Sequence, residues 1–153
     1  MTNIENRIRE LGFELPESVH PIASYIPATI SGNLVFTSGQ LPLLLGKITE
    51  TGILGVDLEI DRAQQAAKLC VINGLAAIKS LIKDLDKIKT IVKLVGYVAS
   101  DPRFVRQPEV INGASNFILE IFGDHGRHAR TSIGVASLPL NSPVEIEMIV
   151  EIK

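Results

Sequence analysis

The chain has 153 residues, 46% hydrophobic and 21% charged, with a formal net charge of −2; that length fits one domain able to bury roughly 70% of the surface its unfolded form exposes, so no metal or disulfide staple is needed. A single cysteine, Cys70, excludes an internal disulfide and suits a reducing compartment, while scattered basic residues, few aromatics and no tryptophan argue against a nucleic-acid binder. Lys, Asp or Gly is expected to break each apolar stretch before it could cross a bilayer, which makes a cytoplasmic protein the expectation, and the high apolar content favours an oligomer.

Residues 3–11 place Ile4, Ile8 and Leu11 on one helical stripe, with Gly12 set to stop it. This helix, within residues 1–15, reads as an amino-terminal addition lying on a single domain that spans 1–153. Pro16, Pro21 and Pro27 keep the next stretch extended. Residues 25–30 and 34–40 read as the two strands of a hairpin around Ser31, Gly32 and Asn33, ended by Pro42. Residues 46–55 are punctuated by glycine, a loop with a short strand piece.

From 59 to 85 apolar residues recur at spacings of three and four, the pattern of a largely buried helix. Gly74 in its interior costs about 1 kcal/mol relative to alanine and is expected where the helix approaches a sheet closely. A β-branched strand covers 90–100. A second helix starts at Pro108 and runs through Ile121 to a stop at Gly123. Two last strands, 129–137 and 144–152, flank a turn that holds Pro139 and Pro143. The order is a helix and then β-β-α-β-α-β-β, an α+β domain whose mixed sheet of about six strands carries both helices on one face.

In the strand from 129, Thr131, Ile133 and Val135 are expected toward the core, with Arg130, Ser132, Gly134 and Ala136 on the other side. A guanidinium followed on its own face by very small side chains has a hollow before it, and its fork matches a carboxylate. The plainer reading is a surface arginine paired with a neighbouring glutamate. Pairing the last two strands as a hairpin sets Ala136 opposite Glu145 and Arg130 opposite Glu151. Arg130 and Glu145 then share a face about 20 Å apart, at ~3.3 Å per residue. A site that uses both is therefore expected between subunits.

Other chemistry-bearing residues read as structural. His125 and His128 are three apart without a third ligand in view, so no metal is expected there. His20 lies in an extended stretch. Cys70 sits among apolar neighbours on the long helix as an inert thiol, and Ser38 has no His–Asp partnership near it in sequence.

Three blocks together carry a resemblance: Tyr25 with segment 32–42 (GNLVFTSGQLP), Ala129-Arg130-Thr131-Ser132, and Leu138-Pro139 followed by Val144-Glu145-Ile146-Glu147. In this order they resemble the Rid family of reactive intermediate deaminases, also called YjgF-like or endoribonuclease L-PSP proteins, over residues 20–153. The likeness is to the longer branch, which carries Gln107-Pro108 and Asn112-Gly113-Ala114-Ser115 before His128-Ala129-Arg130. The resemblance implies a chorismate-mutase-like α+β fold assembled as a homotrimer, with clefts between neighbouring subunits. It implies that Arg130 holds the carboxylate of a 2-imino acid of the kind released by pyridoxal-phosphate enzymes, that Glu145 positions or activates the attacking water, and that Tyr25, Ser38 and Gly39 line the cleft.

Ser132, also in that cleft, stands where many deaminating members have cysteine. No metal or organic cofactor is required. The function implied is hydrolysis of reactive imines to 2-oxo acids and ammonia. The alternatives are a noncatalytic protein that binds small carboxylates such as 2-oxo acids, and an endoribonuclease, which the acidic charge disfavours.

Overall fold

The computed structural model describes residues 3–17 and 24–153. In chain order these form α1 (Asn3–Glu10), β1 (Ala28–Ser31), β2 (Leu34–Thr37), β3 (Leu43–Leu44), β4 (Lys47–Ile48), α2 (Ile60–Ile82), β5 (Ile88–Ala99), α3 (Gln107–Phe122), β6 (Ala129–Val135) and β7 (Val144–Ile152). The main sheet has five strands in the order β1-β2-β7-β5-β6, and β3 and β4 pair as a separate hairpin. Tyr25 lies ahead of β1 rather than in it, because the ladder with β2 begins at the Ala28–Thr37 pair.

The helices form where the apolar period is three to four, and they pack on one face of the sheet. Close approach is possible because glycine sits at the contacts. A Cβ at Gly74 of α2 would run into the Met148 methyl on β7, and one at Gly96 of β5 would run into Ile111 of α3. Leu94, Val98, Ile146, Met148 and Val150 are buried between sheet and helices. α1 is tied to this body by Asp86, whose carboxylate accepts from the Asn3 and Ile4 N–H groups at the start of that helix.

α2 does reach the length and mean apolarity of a membrane span, contrary to the expectation from its scattered charges. Its apolar residues face sheet and α3 instead, and 61% of its most apolar window is buried within the chain.

The last two strands do not form a hairpin. β6 pairs parallel with β5, while β7 pairs antiparallel with the other edge of β5, so β5 separates them. Two causes act together. The β5-α3-β6 run is a strand-helix-strand crossover, which returns parallel to its first strand. The connection over 136–143, with its two prolines, is too long for a tight turn and steps across the end of β5. There Ala99 N–H donates to Pro143 and Ser100 N–H donates to Val135, clasping the strand end between them.

The faces of β6 are also exchanged relative to the sequence pattern. Arg130 pairs with Leu94, which pairs in turn with the buried Met148, so Arg130, Ser132 and Gly134 lie on the helix side. The small size of Ser132 and Gly134 lets α3 approach; a Cβ at Gly134 would meet Gln107 and Ser100. Thr131, Ile133 and Val135 lie on the face no helix covers, beside Val95 and Tyr97, and Ile133 is 42% exposed.

Candidate functional site

Arg130 sits at the start of the edge strand β6, opposite the middle of α3. Asn112 and Ser115 are three apart on that helix and so share the side that meets the strand. One terminal nitrogen of the guanidinium, Nη1, donates to Asn112 Oδ1 at 2.8 Å and to Ser115 Oγ at 3.2 Å. Ser115 Oγ lies 2.9 Å from His128 Nε2, and His128 Nδ1 lies 2.6 Å from the Gly126 carbonyl. Among the described residues the surface ion pair expected of an ordinary arginine is absent at Arg130: Arg7, Arg62, Arg103, Arg106 and Arg127 each meet a carboxylate, whereas the half-buried Arg130 is held by neutral acceptors.

A second group of residues assembles at the far end of β7. Gln40 and Ile146 exchange both backbone hydrogen bonds, at 2.8 and 3.0 Å, which holds Gly39 alongside β7, where the Glu145 side chain reaches diagonally across to it. The missing side chain at Gly39 is what makes room, since a Cβ there would overlap the Glu145 carboxylate. Ser38 N–H and Oγ donate to the carbonyls of Pro27 and Ile26, fixing the segment that carries Tyr25 to the same corner. Tyr25 itself is 54% exposed.

Glu145 is half-buried and meets no cation within the described residues. Burial, and then the neighbouring Glu147 carboxylate, hold its proton affinity above that of an ordinary glutamate. Tyr97, its register partner on β5, keeps its phenolic proton more firmly for the same two reasons, burial first and Glu147 second.

Within one chain these two groups do not meet. Glu145 pairs with Tyr97 and Arg130 with Leu94, three residues apart along β5, so the two side chains leave opposite faces of the sheet. Their backbone positions are roughly 14 Å apart, at ~3.3 Å per residue and ~4.8 Å per strand. The shared face drawn from the hairpin is therefore replaced by opposite faces, and the separation is shorter than that pairing implied.

A family model described as "YjgF/chorismate_mutase-like, putative endoribonuclease" matches residues 5–152. The chain belongs to the YjgF family. Among solved structures, a protein of unknown function from Agrobacterium tumefaciens is 54% identical, with a TM-score of 0.91 over 98% of this chain and 93% of that one. A Shewanella oneidensis structure with the same endoribonuclease description is 35% identical, with a TM-score of 0.92 over 99% of this chain and all of its own length. Among curated proteins, Protein TCP17 of Trypanosoma cruzi is 39% identical over 146 residues, covering 95% of this chain and 91% of the relative.

Cys70 is fully buried, and burial pushes its thiol well above the ordinary cysteine range, so it is no nucleophile. His125 contributes its carbonyl to Thr90, and no group of three metal-ligating side chains exists among the described residues. His20 lies outside the described residues. Ser132 Oγ, between Arg130 and Gly134, is buried without a hydrogen-bond partner among the described residues.

Sequence reasoning passed over Asn112, Ser115, His128, Tyr97 and Glu147 as parts of these clusters. The signal was present for the first three. Two polar residues three apart on a helix face a histidine and an arginine two apart in sequence at the start of the next strand.

Proposed function

We propose that the protein hydrolyses small 2-imino acids to 2-oxo acids and ammonia, in a cleft formed between subunits of a homotrimer. Arg130 of one subunit takes the substrate carboxylate in bidentate fashion, and Glu145 of a neighbour handles the protons. The observation that carries this reading is the half-buried Arg130, fixed by Asn112 and Ser115 and paired with no carboxylate among the described residues. A guanidinium that no counter-ion neutralises keeps its full attraction for an anion.

The intersubunit part rests on geometry. Arg130 and Glu145 leave opposite faces of one sheet, so a site that uses both takes them from two copies. The uncovered face, with Phe36, Val95, Ile133 and Ile149 only partly buried among Glu145 and Glu147, suits burial against another copy.

The reaction balances with water alone. Glu145 removes a proton from water as its oxygen bonds to the imine carbon, and the C=N π pair moves to nitrogen. The carboxyl returns that proton to the nitrogen, giving the neutral carbinolamine. It then carries the carbinolamine's hydroxyl proton to the amino group as the C–N bond breaks, so that ammonia leaves and the oxygen's electron pair closes the C=O bond of the 2-oxo acid. A carboxylate that binds its proton more tightly than usual suits both halves of that transfer. Fixing the carboxylate and the water supplies proximity, and Arg130 adds electrostatic stabilisation.

Tyr25, Ser38, Gly39 and Ser132 line the cleft in this reading. The orphan hydroxyl of Ser132 adjoins Arg130 on the same strand face, where a bound polar group would satisfy it. The test couples the purified protein to an amino-acid dehydratase and follows imine decay. Faster decay with the wild type, lost in Arg130→Ala and Glu145→Ala, is expected; no acceleration with any precursor contradicts catalysis. Binding of a 2-oxo acid without turnover would select a carboxylate-binding role. Ribonuclease activity is disfavoured by the net charge of −2.

A further inference from the structure

We infer that Asn112, Ser115 and His128 are positioning residues, forming a one-way hydrogen-bond relay that holds Arg130 charged, aimed and open on one edge. The inference rests on Arg130 being the carboxylate anchor. It adds what keeps that anchor in place.

The direction of the relay follows from donor and acceptor inventory. The Gly126 carbonyl only accepts, so His128 Nδ1, 2.6 Å away, carries the proton. In a neutral imidazole Nε2 is then bare, and at 2.9 Å it accepts the Ser115 hydroxyl. With its proton committed to His128, Ser115 Oγ presents lone pairs to Arg130 Nη1, and the Asn112 carbonyl oxygen takes the same nitrogen from the helix side. Each donor therefore has one acceptor direction, from guanidinium to hydroxyl to imidazole to backbone carbonyl.

Two consequences follow for an incoming anion. Both acceptors act on Nη1, so the edge formed by Nε and Nη2 has no described partner and is the edge a carboxylate fork would meet. All the acceptors are neutral, so the guanidinium is oriented without losing charge. A carboxylate in place of Asn112 would fit the same space and orient Arg130 as well, but it would spend the attraction the site needs. That distinction separates positioning from plain structural support.

The test measures 2-oxobutanoate binding by calorimetry for the wild type, Ser115→Ala and Asn112→Asp, with nitrogen-detected NMR of the His128 ring and the Arg130 guanidinium. The wild type should show the Nδ1-protonated tautomer and hindered guanidinium rotation. Ser115→Ala should release that rotation and weaken binding about 10-fold. Asn112→Asp should keep the rotation hindered, melt no lower than the wild type, and weaken binding on the order of 100-fold, because the new carboxylate competes with the ligand.

Wild-type affinity in both variants would overturn the inference. If the wild type neither binds 2-oxobutanoate nor turns over imines, the proposed function fails, and NMR alone decides the relay. Hindered rotation lost in Ser115→Ala upholds it, and free rotation in the wild type overturns it.

Discussion

Two corners of one sheet hold charge that no counter-ion among the described residues meets, and they hold it in opposite ways. At the β6–α3 corner Arg130 is fixed by neutral acceptors at 2.8 and 3.2 Å, so its charge is permanent and its aim is set. At the β2–β7 corner Glu145 sits against a glycine with a second glutamate beside it, so its charge is conditional and its proton is held more tightly. The first arrangement suits capture of an anion; the second suits moving a proton. Opposite faces keep the two from neutralising each other within one chain.

The sharpest way to break the contrast is to remove the conditional charge. Glu145→Gln should lower kcat by about 10²- to 10⁴-fold in the coupled imine assay, the range of general acid-base catalysis, and abolish the acidic limb of the pH profile. In the wild type that limb should fall as pH drops, with its midpoint above the ordinary glutamate value of 4.5.

Next comes the permanent charge. Arg130→Ala should cost about 100-fold in kcat/KM, or ~2.7 kcal/mol, and Arg130→Lys should recover only part of it because an ammonium lacks the fork.

Gly39→Ala should fold normally, since the overlap is with the free end of a glutamate side chain that can swing away. The displaced carboxylate should lower activity about 10-fold, a loss set by misplacement rather than by missing chemistry.

The smallest effect is on stability. A carboxyl whose proton affinity is raised by folding makes the native state weaker as pH rises through its raised value, and contributes nothing below the unfolded value. Glu145→Gln should therefore melt higher near neutral pH, on the order of 1–2 °C, with the gain disappearing in acid. A gain that persisted in acid would place its origin elsewhere than in the buried charge.

Most elements were legible because their periods are clean. α2, α3, β5 and β7 stand where spacing put them, and the close approach expected at Gly74 is the contact with Met148. The pairing of β6 was not legible, because consecutive strands suggest a hairpin unless the intervening turn is weighed. The eight residues 136–143, with Pro139 and Pro143, and the helix between β5 and β6 were the physical signs of a crossover.

That error of partner carried an error of face. Ser132 and Gly134 are small because α3 lies on them, whereas Thr131 and Ile133 face the uncovered side. Arg130 and Glu145 could be named from sequence and resemblance, but the neutral clamp on Arg130 needed the packing of Asn112 and Ser115 against the strand.

Subunit mixing tests the central claim, that the two corners meet only across a subunit boundary. Arg130→Ala and Glu145→Gln chains, each inactive alone, are unfolded together, refolded at equal ratio and assayed for imine hydrolysis. A site shared between copies predicts that about one site in four regains both intact groups and the activity that goes with them. A mixture as inactive as its components would place both residues' roles within single chains and contradict the account.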